Sequence, residues 1–334
     1  TSGNINLPTA STILKTSNGG ANWNEIYTFP NTHLSAITFY NDTLGYAVGG
    51  KYWWGSRIFK TTNAGNNWIQ YPDLPTGFIN SICFTGSDTT YIAGDGGVIM
   101  KTTNQGTNWI ILNTGSNNST IYNSIYFTTT STGFAAGNGG RIYKTTNMGI
   151  DWILLNSGTL GGFAEITFAN MNTGFACGWG RVFKTTNAGN TWDSLNTMCT
   201  ENLLTIKSID SNSVVSCGYN GTVIKSSNNG LSWSYMSSSI TSLTINSSYM
   251  FDSLNYYIIC DSSKILHTFD GGSSWFSNFV EGNYSLKAIC FTNQNTGFIS
   301  GGYSVYSPPF TTIYYAKIFK TTNSGTNWFL VYGL

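Results

Sequence analysis

Nine residues, Lys60-Thr-Thr-Asn-Ala-Gly-Asn-Asn-Trp68, set the pattern for eight related segments along the chain. A segment that returns at a near-constant interval constrains the fold more than any single residue does. The copies begin at Lys15, Lys60, Lys101, Lys144, Lys184, Lys225, His267 and Lys320. They close on Trp23, Trp68, Trp109, Trp152, Trp192, Trp233, Trp275 and Trp328. The intervals between these tryptophans are 45, 41, 43, 40, 41, 42 and 53 residues. That period fits one four-stranded blade of a β-propeller, and no helical stripe accompanies it.

Each interval reads as four short strands. Apolar residues alternate in Leu34-Ser-Ala-Ile-Thr-Phe39, and a second run follows at Gly45-Tyr-Ala-Val48. A third, Arg57-Ile-Phe-Lys60, enters the motif, and a fourth leaves from its tryptophan, as in Trp109-Ile-Ile-Leu112. Period-two alternation with Gly, Asn and Asp between the runs predicts antiparallel strands. The expected fold is therefore all-β: a β-propeller of four-stranded antiparallel blades, forming one domain over residues 1–334. Seven complete sets span 34–334, and residues 1–30 supply an incomplete first blade. Eight blades with the first incomplete is the favoured count; seven blades plus an extra hairpin is the alternative.

The motif has a physical logic. Its central side chain is Asn18, Asn63, Asn104, Asn147, Asn187, Asn228, Asp270 or Asn323, which accepts hydrogen bonds from turn N–H groups. Two residues on, a glycine permits backbone angles that other residues resist. The pattern Ser/Thr-x-Asp-x-Gly-x-x-Trp resembles the Asp-box, or bacterial neuraminidase repeat, over nearly the whole chain. Among propellers of that superfamily the chain is similar to photosystem II assembly-factor-like proteins and to secreted bacterial surface proteins. The resemblance implies turns on the blade periphery, away from any active site. Asn in place of Asp in seven copies argues against calcium at these turns. The lysine that opens most copies reads as a solvated strand end, with His267 as its equivalent.

The superfamily includes sialidases and other glycoside hydrolases, so catalysis needs a test. The chain has three arginines, Arg57, Arg141 and Arg181, all at one repeat position before the motif. One position in three blades suggests a strand role, not convergence on a ligand. Glycoside hydrolysis needs two facing carboxylates. Glu165 is the best internal candidate, and Lys207 at the neighbouring repeat is expected to pair with it. No nucleophile elbow, phosphate loop or zinc motif appears. The expectation is a protein without enzyme activity, cofactor or metal.

Charged residues make up 9% of the chain and net charge is +1. Such a balance offers no basic field for nucleic acid. No run of apolar residues is long enough for a transmembrane helix. The six cysteines include no C-x2-C pair, and Cys177, Cys217 and Cys260 share a position that elsewhere holds small residues. All but Cys199, in a loop, are expected to be buried thiols. A polar, weakly charged surface and the resemblance together suggest an extracellular or cell-surface protein, with any signal peptide already removed.

The period lengthens twice, at 49–56 and at 301–315, both between the second and third strands. These loops carry Tyr52, Trp53, Trp54, Tyr303, Tyr306, Phe310, Tyr314 and Tyr315, and Trp179 occupies the corresponding short loop of another repeat. Clustered exposed aromatics mark a binding surface. The expected role is a structural, adhesion or protein-interaction module whose partners are other proteins or copies of itself. The alternatives are a glycan-binding propeller, where rings stack on sugars, and a sialidase-like or other glycoside hydrolase.

Overall fold

The computed structural model describes residues 10–30, 32–50, 55–73, 77–208, 210, 212–236, 241–307 and 311–333. The chain divides into two compact units, one of Thr9–Lys15 and Glu25–Leu195, the other containing Thr16–Asn24 and Asn196–Leu334.

The first unit opens with a two-stranded sheet of β1 (Ala10–Lys15) and β2 (Asn24–Pro30). Four four-stranded sheets follow. The first is β3 (His33–Phe39), β4 (Gly45–Gly50), β5 (Ser56–Thr61) and β6 (Ile69–Gln70). The next is β7 (Ile79–Phe84), β8 (Thr90–Gly94), β9 (Ile99–Thr102) and β10 (Ile110–Leu112). Then come β11 (Tyr122–Phe127), β12 (Gly133–Gly137), β13 (Ile142–Thr145) and β14 (Ile153–Leu155). The unit ends with β15 (Glu165–Phe168), β16 (Gly174–Gly178), β17 (Arg181–Thr185) and β18 (Asp193–Leu195).

The second unit holds three such sheets. They are β19 (Leu203–Ser208), β20 (Val214–Gly218), β21 (Val223–Ser226) and β22 (Ser234–Tyr235); β23 (Ile245–Met250), β24 (Tyr256–Cys260), β25 (Lys264–Thr268) and β26 (Phe276–Phe279); and β27 (Ser285–Phe291), β28 (Gly297–Ser307), β29 (Thr311–Thr321) and β30 (Phe329–Gly333). All pairings within the sheets are antiparallel between consecutive strands.

Seven four-stranded meanders of this kind are propeller blades. Among the described residues the blades number seven, as the seven complete sets predicted, and the incomplete set ahead of them does not add the favoured eighth. The first motif joins the two strands of the β1–β2 sheet, as in the alternative of seven blades and a hairpin. Within each blade burial is greatest in the middle strands. The second strands β8, β12, β16, β20 and β24 are buried at every residue, because sheets pack on both their faces. The fourth strands face water, with Ile69, Ile110 and Phe276 exposed.

Four of the first strands carry a residue outside the regular pairing that reaches the next sheet. Ser35 donates to the carbonyl of Ile79. Asn80 donates to Tyr122 O (3.1 Å), Asn123 to Phe163 O (2.7 Å) and Asn246 to Leu286 O (2.9 Å). Each sits where the register shifts by one, a β-bulge that turns its side chain out of the alternation.

The eight motif turns share one hydrogen-bond pattern. The Thr or Ser hydroxyl accepts from the glycine N–H four residues on, at 2.7–2.9 Å. The Asn or Asp oxygen accepts from the N–H four residues after it, at 2.8–3.0 Å. The two residues that follow the Asn adopt left-handed backbone, as at Ala64 (φ 59°) and Gly65 (φ 79°). Glycine is needed at the second for space as well as conformation. A Cβ on Gly189 would fall 2.2 Å from the Phe134 ring of the preceding sheet, and one on Gly20 would fall 2.3 Å from Phe298.

Three of the motif lysines are not solvated strand ends but reach the next motif turn. Lys144 is buried, and its Nζ donates to Ala188 O (2.6 Å) and Asn190 Oδ1 (2.7 Å) in the next motif turn. Lys101 Nζ donates to Met148 O (2.8 Å), and Lys225 Nζ to Ser253 O (2.8 Å) and Gly271 O (3.0 Å). The ammonium thus satisfies the carbonyl of the left-handed residue, which the turn cannot pair internally. Burial pushes the pKa of all three lysines down.

The sequence-predicted long loop at 301–315 is instead an extension of the sheet. Strands β28 and β29 continue their pairing from Gly302↔Ala316 to Ser307↔Thr311. Tyr-Ser-Val-Tyr and Thr-Thr-Ile-Tyr-Tyr are strand-forming sequences, and here that preference prevails over the flanking Gly-Gly and Pro-Pro signals. The cysteines are all free thiols; Cys177, Cys199, Cys217 and Cys260 are buried, Cys83 is half-buried, and Cys290 is exposed, contrary to expectation.

Candidate functional site

The nine residues expected to bind do not form one described surface. Tyr52, Trp53, Trp54 and Phe310 lie outside the described residues. Tyr306 and Tyr314 belong to β28 and β29 by backbone, and their side chains also lie outside the description. Tyr303 and Tyr315 face each other across the ribbon and stack, with ring centroids 4.7 Å apart and planes at 11°. Tyr284 closes on the same pair, 5.7 Å from Tyr303.

Trp179 stands elsewhere, in the first unit, beside a cavity of 380 Å3. Two loops build that cavity. The first joins β14 to β15 and contributes Gly158-Thr-Leu-Gly-Gly162; the second is the turn from β16 to β17, Gly178-Trp-Gly180. Ser157 Oγ donates to Gly140 O (2.5 Å), and the Gly161 N–H donates to Thr159 Oγ1 (3.0 Å), which fixes the first loop. Phe163 N–H donates to Gly137 O (2.9 Å) and Ala164 N–H to Cys177 O (2.8 Å), tying it to strands on either side.

The tight turn forces Trp179 into a left-handed conformation with φ of 34°. A bulky residue there is uncommon and costs energy, so the conformation is maintained by its surroundings. Gly161 and Gly162 provide the room: a Cβ on Gly161 would lie 3.2 Å from Trp179 Cβ, and one on Gly162 would lie 3.5 Å from its Nε1. The indole therefore rests across a glycine pair while 71% of the residue remains in water. Leu160 beside it is 90% exposed. Phe183 forms a buried wall, packed edge-on against Phe163 at 5.2 Å.

Arg181 completes the lining. It opens β17, is exposed, and its guanidinium is unpaired among the described residues. The other two arginines have other tasks: Arg57 Nε pairs with Asp73 Oδ1 at 3.1 Å, and Arg141 turns back on Asn138 O at 3.5 Å. Sequence reasoning set Arg181 aside because it shares its position with these two. It missed Leu160 altogether, whose one signal is an apolar residue inside a glycine-rich loop.

The cavity lining contains no carboxylate, histidine or cysteine. Among the described residues no three His, Cys, Asp or Glu side chains gather as a metal-binding set. No described helix is long and apolar enough to cross a membrane. What the cavity offers is an apolar ring, an apolar side chain, one cation and a floor of exposed backbone. Such a set suits an extended chain that carries an apolar and an acidic group.

Comparison with known proteins narrows the reading. A structure described as YCF48 bound to D1 peptide is 17% identical, with a TM-score of 0.65 over 87% of this chain and 93% of the other. YCF48 from Cyanidioschyzon merolae is 16% identical, with a TM-score of 0.65 over 84% of this chain and 96% of the other. A Niastella koreensis GH74 enzyme is 13% identical, with a TM-score of 0.52 over 98% of this chain and 73% of the other. At such identities the likenesses show the fold alone. A search of curated proteins found no match. A sequence family described as photosynthesis system II assembly factor YCF48 matches residues 15–301. That match overturns the expectation of an extracellular or cell-surface place, since photosystem II assembly is not a task performed outside the cell. It also favours assembly over catalysis, in keeping with a non-enzymatic protein. The chain belongs to the photosynthesis system II assembly factor YCF48 family.

Proposed function

We propose that the chain is a non-catalytic protein-interaction module and that the Trp179 cavity holds an extended segment of a partner protein. One observation carries the reading: a tryptophan held in left-handed backbone with most of its surface in water, between an exposed Leu160 and an unpaired Arg181. An exposed aromatic ring beside an exposed leucine is the kind of apolar surface that interaction sites present. Tryptophan and arginine are also the residue types that dominate binding energies at interfaces. A structure of similar fold is described with a bound peptide, which adds support by analogy.

The segment's apolar residue stacks on Trp179 and Leu160, and its carboxylate meets Arg181. Backbone groups of the two glycine-rich loops are left to pair with the segment's own main chain. The test is an array of extended peptides that combine apolar and acidic residues, read against a glycan array. Trp179→Ala is expected to weaken the bound peptides about 30-fold. Arg181→Ala is expected to weaken acidic peptides selectively. Peptide binding indifferent to Trp179→Ala sinks this site, and glycan binding lost on the same substitution favours a sugar ligand instead.

A further inference from the structure

The last blade differs from the other six in one respect. Its middle strands run on as a two-stranded ribbon after their neighbours have stopped. Pairing of β27 with β28 ends at Ser285↔Gly302, and pairing of β29 with β30 ends at Lys317↔Gly333. Beyond those points β28 and β29 pair only with each other, through Ser307↔Thr311. Five residues of β28 and six of β29, the latter about 20 Å of chain, present outward N–H and C=O groups that no other described strand takes up.

Natural edges of this kind are blunted by lysine, proline or a bulge. Along Thr311-Thr-Ile-Tyr-Tyr-Ala316 none of these appears, and the ladder with β28 is uninterrupted. From Tyr303 to Ala316 the sequence holds no charged residue. The residues are those that favour pleated pairing: threonine, isoleucine and tyrosine. On the side of Tyr303 the ribbon is steadied by the Tyr303–Tyr315 stack, with Tyr284 against it.

We propose that the edge of β29 over Thr311–Ala316 pairs antiparallel with the same edge of a second copy of this chain. Two strands alone make a marginal sheet, whereas two ribbons joined edge to edge make four strands, the size of every blade. The edge is uncharged, so nothing in it selects an oppositely charged partner. A net charge of +1 sets up little repulsion between copies. An antiparallel pair of identical edges is related by a two-fold axis and closes on itself, so assembly stops at a dimer. The inference is independent of the Trp179 site, and either can fail without the other.

Sedimentation of the purified chain across a wide concentration range tests it. A reversible dimer is expected. Ile313→Lys brings like charges near the dyad and is expected to weaken the dimer about tenfold or more. A second variant, with Tyr303–Tyr315 replaced by an Asn-Gly-Gly turn like that at Asn138, is expected to be monomeric and to unfold as the parent does. A parent chain that remains monomeric throughout overturns the proposal, even where its ribbon captures an unrelated extended peptide. A dimer that survives excision of the ribbon overturns it as well.

Discussion

Lys144 and His267 stand at the same point of the repeat, and the carbonyl groups in front of them are satisfied in different ways. Lys144 reaches across to Ala188 O and Asn190 Oδ1 with its ammonium held 5.8 Å over the Phe134 ring. His267 is too short to reach. It is buried, its Nε2 has no hydrogen-bond partner among the described residues, and it lies flat on Tyr257 with centroids 3.8 Å apart. There the carbonyls of the next turn are served by others: Tyr257 OH donates to Ser324 O (2.5 Å), and Asn278 Nδ2 donates to Gly325 O (2.8 Å). Tyr91 OH makes the same bond to Met148 O (2.7 Å) alongside Lys101. What has to be met is the demand of the turn's carbonyl, and the identity of the donor is free to change.

If that is right, the seat that relies on lysine is the more fragile. Lys144→Met takes the charged donor away from the half-buried Ala188 carbonyl and from Asn190 Oδ1, and is expected to cost about 2–3 kcal/mol in urea unfolding. A loss below about 0.5 kcal/mol would place the Lys144 bond among the dispensable ones. The histidine seat is expected to betray itself through pH. Burial pulls the His267 pKa down from 6.5 to about 4. The unfolded chain takes up that proton at the ordinary value. Stability is therefore complete above pH 6.5, falls as pH drops towards 4, and is level below. At pH 5 the loss is about 2 kcal/mol. It is read as the difference between the parent and His267→Phe, which should lack this slope. Smallest is Tyr257→Phe, expected to cost about 1 kcal/mol by removing one hydroxyl donor. Adding His267→Lys to it transplants the Phe134–Lys144 arrangement and is expected to return most of that loss. Failure of the pair to recover would mean that the two seats differ in more than their donors.

The repeat made the blades legible, because turn chemistry and strand alternation are local and recur in each copy. The same recurrence hid the lysines. A cation at every strand end looks like a solvated face until its distance from the next sheet's carbonyl is known, and that distance belongs to packing between repeats. The ribbon at 302–316 was obscured by its own length, since an interval of 53 residues reads as an inserted loop. Its alternation of tyrosine with serine and valine was the available sign of a strand. At the Trp179 cavity the ring itself was legible, as an aromatic between two glycines. Leu160 was not, because its neighbour across the cavity comes from a different loop. Arg181 was visible and misjudged: equal position in three repeats does not impose equal surroundings, and among the described residues Arg57 alone of the three has a carboxylate partner.

The joint between sheets has a consequence for how such a chain grows. In Gly106 over Tyr46, Gly149 over Tyr91, Gly189 over Phe134 and Gly325 over Tyr257, a bare turn sits on a ring of the sheet before it. Socket and plug are encoded within a single repeat, some forty residues long. A repeat copied or lost by unequal exchange therefore arrives or departs with a matching connection at each end. A change in copy number would thus keep the joint between each pair of neighbouring sheets intact.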